Sequence, residues 1–132
     1  MTRYTIDAPT LLHIVTEQLP ISPEHQLVAP HAIRSQALTL ILGLVRSGEL
    51  TEREAGTLHT RLTELKIRVL GDRVSRATSF RIANEQHWQT TFDAEYVAVT
   101  LLQADAFVTV DPEMAAKVAG LVELAPVSAL SE

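Results

Sequence analysis

The chain has 132 residues, of which 46% are hydrophobic and 20% are charged, a composition typical of globular proteins rather than disordered ones. The absence of cysteine excludes disulfides, thiolate metal sites and a cysteine nucleophile. The longest apolar stretch, residues 38–45, is far shorter than the roughly 20 residues of a membrane-spanning helix. Since the N-terminus also lacks a signal-peptide pattern, we expect a soluble, cytoplasmic protein.

The charge distribution is uneven. The net charge is −5, from 11 basic and 16 acidic residues, which argues against a protein that coats nucleic acid indiscriminately. Six of the 11 basic residues nevertheless fall between positions 61 and 81, where the only acids are Glu64 and Asp72. This segment is interpreted either as a local anion-contacting surface or as a solvated helix face.

The first half of the chain predicts two strands and three helices. A strand over residues 3–7 precedes a helix over 8–18, for which Asp7 is a suitable cap. A short strand over residues 26–29 ends at Pro30, and a helix over residues 31–47 ends before Gly48. The third helix begins with the capping-box sequence of residues 51–54.

The second half continues the alternation. The predicted elements are a strand over 67–70, a basic helix over 72–87, a helix over 94–103 capped by Asp93 with Leu101 facing inward, a strand over 106–110, a short helix over 112–119 and an edge strand over 121–124. Residues 1–125 are interpreted as one domain and residues 126–132 as a loose C-terminal tail. Alternating strands and helices predict an α/β fold with a mostly parallel central sheet of four to five strands flanked by helices.

Three aspartates occupy positions where ligands commonly bind. Asp7 and Asp111 follow predicted strands, and Asp93 begins a predicted helix. Ligands of parallel sheets bind beyond the carboxyl ends of the strands, and converging carboxylates repel one another unless a cation such as Mg²⁺ neutralises them. Taken singly, each aspartate is better explained as a helix cap or a turn residue, whereas the recurrence of the strand-end position at Asp7 and Asp111 favours a shared site.

Four ordered motifs resemble those of PIN domains, in particular the small ribonuclease toxins of the VapC type. The motifs are residues 4–8 (YTIDA), 28–30 (VAP), 91–98 (TFDAEYVA) and 108–111 (VTVD), and the resemblance spans residues 3–125. It implies a three-layer fold and an endoribonuclease that depends on Mg²⁺ or Mn²⁺. In such an enzyme Asp7, Asp93 and Asp111 would bind the metal and carry catalysis, and the Thr109 hydroxyl would lie near the pocket. It further implies an RNA substrate, a homodimer and a small antitoxin protein as partner.

One acidic position of the family departs from the pattern. The helix after the second strand carries Gln36 where members of the family have Glu, and an amide offers a neutral oxygen but no charge. Glu95 is a candidate to compensate. The sequence therefore leaves two functions open: a metal-dependent ribonuclease, active or weakly active, and a catalytically impaired PIN-like domain that binds RNA or protein.

Basic residues are needed to hold RNA phosphates beside an acidic pocket. Arg73, Arg76 and Arg81 on the predicted basic helix are the candidates. A phospho-acceptor signalling domain also places aspartates at strand ends, but it expects a lysine at a late strand end. Neither Lys66 nor Lys117 has that position, which disfavours this third interpretation.

Overall fold

Four strands and six helices alternate along the chain, and a computed structural model describes all residues from Met1 to Glu132. The elements in order are β1 (Thr2–Ile6), α1 (Ala8–Glu17), β2 (His25–Pro30), α2 (Ile33–Arg46), α3 (Glu52–Glu64), β3 (Arg68–Leu70), α4 (Arg73–Glu85), α5 (Phe92–Gln103), β4 (Ala106–Val108), α6 (Pro112–Val118) and a final 3₁₀ helix (Val127–Ser131). None of the helices is long and apolar enough to cross a membrane.

The strands form one parallel sheet in the order β3-β2-β1-β4. Tyr4 of β1 pairs with Leu27 of β2 on one side and with Ala106 of β4 on the other. The chain therefore builds the sheet outward from β1 to β3 and then returns to add β4 beside β1. This reversal of strand order lies between β1 and β4, the position at which open parallel sheets form a crevice.

Helices cover the sheet in a three-layer arrangement. Helices α1, α2 and α3 pack against one another, whereas α4 packs on α5, and α5 contacts β1, β2 and β4. The core contains Ile6 of β1, Val97 of α5 and Phe107 of β4, each at most 1% exposed. These observations confirm the predicted α/β class and the parallel sheet, which has four strands.

The aspartates predicted to cap helices do so in the structure, with one exception. Asp7 accepts a hydrogen bond from the backbone of Thr10 and caps α1, and Asp111 likewise caps α6. Thr51 and Glu54 form the expected capping box at the start of α3. The predicted cap at Asp93 is wrong because α5 begins one residue earlier, at Phe92, which leaves the Asp93 side chain in the first turn of the helix.

Two expectations for the C-terminal segment are also wrong. The predicted edge strand over residues 121–124 is reduced to isolated bridges, one of them between Phe107 and Leu124. The expected loose tail instead forms the 3₁₀ helix, in which Leu130 is fully buried. The hydroxyl of Ser131 donates to the carbonyl of Pro20 at 2.6 Å. These contacts hold the segment against the loop before β2.

The expected inward orientation of Leu101 is wrong as well. Burial along α5 is continuous from Tyr96 to Thr100, where both the sheet and α4 cover the helix. Leu101 lies in the last turn and is 53% exposed. The apolar residues of α5 therefore suggest a longer buried face than the helix has.

Candidate functional site

The three predicted aspartates line one pocket at the reversal of strand order. Asp7 directly follows β1, Asp111 caps α6 after β4, and Asp93 lies in the first turn of α5. The pocket has a volume of about 240 Å³, and Gln36 of α2 also lines it. Residues 7, 36, 93 and 111, far apart in sequence, thus meet on one surface.

Asp7 is the buried member of this group. Its side chain is 4% exposed, and its Oδ1 atom accepts hydrogen bonds from the Thr10 backbone at 3.2 Å and from the Thr10 hydroxyl. Its Oδ2 atom accepts from the Thr109 hydroxyl at 2.6 Å. Burial nevertheless raises the pKa of Asp7, because these hydrogen bonds only partly offset the loss of water around the carboxylate.

No basic side chain neutralises Asp7. The two ion pairs of the structure join Arg81 to Glu85 and Lys117 to Asp93. A buried carboxylate without a cationic partner is costly, and such groups commonly mark functional sites. Asp7 is therefore a candidate ligand for a cation.

Two threonine hydroxyls fix the geometry around Asp7. Extending the pairing of Ile6 with Val108 by one residue brings Asp7 beside Thr109. The Thr109 hydroxyl also accepts from the backbone of Asp111 at 3.1 Å, and the Thr10 hydroxyl accepts from the backbone of Val110 at 3.1 Å. The start of α1 and the segment after β4 are therefore tied together through the carboxylate.

Asp111 and Asp93 have different partners. The Oδ1 atom of Asp111 accepts from the backbone of Glu113 at 3.0 Å. The Oδ2 atom of Asp93 accepts from the Lys117 ammonium group at 2.7 Å, and this ammonium lies 4.7 Å from the centre of the Trp88 ring. Asp111 therefore has no cationic partner, whereas Asp93 is paired.

Gln36 is held in place by a phenol. The Tyr96 hydroxyl donates to the Oε1 atom of Gln36 at 2.5 Å. The pKa of Tyr96 is raised above its ordinary value, chiefly by burial of the phenol. The negative charges of Asp7, Glu95 and Asp93 raise it further. The phenol consequently remains protonated, and its hydroxyl holds the amide oxygen of Gln36.

The chemistry of these donors fits a hard divalent cation. All are oxygen donors, as Mg²⁺ and Mn²⁺ prefer, and four carboxylates against one ammonium leave three formal negative charges around the pocket. No three acidic or imidazole side chains are drawn together closely enough to hold a metal in this arrangement. Carboxylates that repel one another are expected to stand apart until a cation draws them together.

The remaining predicted residues lie outside the pocket. Glu95 is half-buried on α5 and does not line the pocket, but its charge contributes to the raised pKa of Tyr96, which does line it. The expectation that Glu95 compensates for the missing carboxylate stays a prediction. Arg73, Arg76 and Arg81 are exposed on α4, and none of them lines the pocket.

Sequence reasoning missed several residues of the pocket. Glu113 and Lys117, one turn apart on α6, both line it. Tyr96 also lines it, three residues after Asp93 on α5. Helical spacing was an available signal for Tyr96 alone, since residues three or four apart share a helix face.

Comparison with known proteins bears on the fold. No family model and no curated protein matches the chain. The crystal structure of PAE2754 from Pyrobaculum aerophilum is similar, with a TM-score of 0.70 at 23% sequence identity, over 98% of this chain and 94% of that one. The two proteins share a fold. At this level of identity the similarity extends to the architecture only.

Proposed function

We propose that the protein is an endoribonuclease that depends on Mg²⁺ or Mn²⁺ and hydrolyses RNA phosphodiester bonds. The observation that carries this proposal is the position of Asp7, which is buried, lacks a cationic partner and faces the same pocket as Asp93 and Asp111. The resemblance to PIN domains, on the motifs that contain these aspartates, supplies the reaction class.

Each residue has a role in this proposal. Asp7 and Asp111 would hold the cation, with the Gln36 amide as a neutral oxygen donor and Asp93 as the third carboxylate of the pocket. A divalent cation there would lower the pKa of a bound water and stabilise negative charge on the phosphate oxygens. The hydroxyls of Thr10 and Thr109 fix the Asp7 carboxylate, as outer-shell partners of ligands commonly do.

The charge of the pocket explains why RNA cleavage would require the cation. Three formal negative charges around the pocket repel a phosphodiester. A cation between Asp7 and Asp111 would reverse that repulsion locally. Arg73, Arg76 and Arg81 on α4, outside the pocket, are proposed to contact the RNA strand on either side of the cleaved bond.

The biological role follows from the same resemblance. We propose that the protein is the toxin of a type II toxin–antitoxin pair, acts in the cytoplasm as a homodimer and is inhibited by a small antitoxin protein. Copurification with the product of a neighbouring short gene would test the antitoxin, and light scattering would test the dimer.

The ribonuclease is tested with labelled RNA and matched aspartate variants. Wild-type protein with Mn²⁺ is expected to yield products with 3′-hydroxyl and 5′-phosphate ends, and none in EDTA. Asp7→Asn and Asp111→Asn should each reduce the rate by about 100-fold or more, the scale expected when a group that stabilises transition-state charge is lost. Asp105→Asn is the control, because this exposed aspartate precedes β4 at the opposite end of the sheet.

Equal cleavage by all variants would point to a contaminating nuclease and contradict the proposal. RNA binding without cleavage by the wild type would instead favour the second function, a catalytically impaired binding module. Two observations support the binding module: Gln36 is neutral at an acidic position of the family, and Asp93 is already paired with Lys117.

A further inference from the structure

Lys117 is the only basic side chain that lines the pocket. It lies on α6, the helix that Asp111 caps. The chain contains one other lysine, Lys66, which is exposed and does not line the pocket. A single ammonium group thus faces the site among four carboxylates.

Two contacts from other segments hold this ammonium group. Its nitrogen lies 2.7 Å from the Oδ2 atom of Asp93 on α5 and 4.7 Å from the ring centre of Trp88, in the connection between α4 and α5. A solvated lysine samples many rotamers, whereas an ion pair on one side and an aromatic face on the other restrict it. These two contacts restrict the Lys117 ammonium at the site, although 39% of the side chain remains exposed.

The charges divide the pocket into two parts. Asp93 is neutralised by Lys117, and Gln36, hydrogen-bonded to Tyr96, carries no charge. Asp7 and Asp111 have no cationic partner. One part of the pocket consequently needs a cation, and the other already contains one.

We propose that Lys117 takes the position at Asp93 that a second divalent cation would otherwise occupy. The pocket then binds one divalent cation, at Asp7 and Asp111, and the Lys117 ammonium contacts a non-bridging oxygen of the RNA phosphate. Asp93 is a positioning residue that holds Lys117. This inference rests on the proposed ribonuclease function, and the experiments below separate the two.

The first experiment counts bound Mn²⁺ on metal-free protein by titration calorimetry and electron paramagnetic resonance. Wild type should bind one ion, and Asp93→Asn should lower the affinity by no more than about fivefold, the effect of removing one charge near the cation without removing a ligand. Lys117→Met should raise the affinity by about fivefold, since one charge within ~8 Å of a dication has that effect even at the dielectric constant of water. Lys66→Met, with the same change in net charge, should leave the affinity unchanged.

The second experiment measures binding of a fluorescein-labelled single-stranded RNA in EDTA, by anisotropy at several salt concentrations. Loss of one phosphate contact should lower the slope of log affinity against log salt by about 0.7 for single-stranded RNA. Lys117→Met is expected to show this change, Lys117→Arg to retain the wild-type slope, and Lys66→Met to match the wild type.

The outcomes distinguish the two proposals. A wild type that binds no Mn²⁺ overturns the metal-dependent ribonuclease and this inference with it. A wild type that binds Mn²⁺ but loses tenfold or more affinity in Asp93→Asn overturns this inference alone, because Asp93 is then a direct ligand. Identical RNA binding by Lys117→Met and Lys66→Met overturns the phosphate contact.

Discussion

Thr109 offers a direct test of how the site is built. Its hydroxyl donates to the Asp7 carboxylate at 2.6 Å and accepts from the backbone of Asp111 at 3.1 Å. Thr109→Val replaces this hydroxyl with a methyl group of similar size. The variant removes a hydrogen bond to a buried charge and leaves the Asp111 amide without its partner.

The expected loss of stability follows from these two contacts. A hydrogen bond to a charged group contributes about 1.5–3 kcal/mol, and a neutral one about 1 kcal/mol. Thr109 is only half-buried, so water can replace part of the second contact. We expect Thr109→Val to lower the free energy of unfolding by about 2–3 kcal/mol at pH 7, equivalent to roughly 10 °C in Tm for a domain of this size.

Thr109→Ser is the matched control because it keeps the hydroxyl and removes one methyl group. Its cost should stay below about 0.8 kcal/mol, the value for a fully buried methylene. Urea unfolding followed by circular dichroism, in EDTA, measures both variants. The difference between them should shrink once the pH falls below the raised pKa of Asp7, since the protonated carboxyl is a weaker acceptor. Equal stability of the Val and Ser variants at pH 7 would refute the assigned hydrogen bond.

Three further predictions concern the site and the C-terminal helix. Burial raises the pKa of Asp7 above 3.8, the value in the unfolded chain. At pH values between the unfolded and the folded pKa, the folded chain binds more protons than the unfolded one, so the free energy of unfolding falls as the pH rises. Urea unfolding in EDTA should therefore show Asp7→Asn gaining stability relative to wild type as the pH rises above 3.8, and a difference that does not depend on pH would contradict this. Gln36→Glu should raise Mn²⁺ affinity in calorimetry by about tenfold or more, since it adds a full charge beside a dication; unchanged affinity would count against Gln36 as a donor. Leu130→Ala should cost about 2–4 kcal/mol in urea unfolding and the exposed Ser128→Ala almost nothing, whereas a loose tail predicts no loss from either.

The sequence was sufficient for the sheet because its strands alternate with helices that carry strong boundary residues. Pro9 and Pro112 fall in the first turns of α1 and α6, and the aspartates before those helices cap them. These signals are local, so they can be recognised without knowledge of the tertiary packing. The order of the strands required the structure, because pairing depends on contacts between distant segments.

The pocket was predictable in part for the same reason. Asp7 directly follows β1 and Asp111 lies in the short connection after β4, and the carboxyl ends of neighbouring parallel strands meet at one edge of a sheet. Glu113 and Lys117 were not found because their approach depends on the direction in which α6 leaves β4. The buried Leu130 was missed because a segment of seven residues at a chain end is too short to give a periodicity from which to infer packing.

Helix capping and site formation are not competing explanations for the aspartates. The Oδ1 atom of Asp7 accepts from the first turn of α1, while its Oδ2 atom accepts from Thr109 across the strand reversal. Asp111 likewise caps α6 through Oδ1. Because hydrogen bonds fix both oxygens of Asp7 and one oxygen of Asp111, the two side chains are ordered before any ligand arrives, which lowers the cost of ordering a site. Asp93 does not cap a helix, and its orientation is fixed by Lys117 instead. If capping pre-orders the site, Asp7 and Asp111 variants should affect helix stability and cation binding together, whereas Asp93 variants should leave helix stability unchanged.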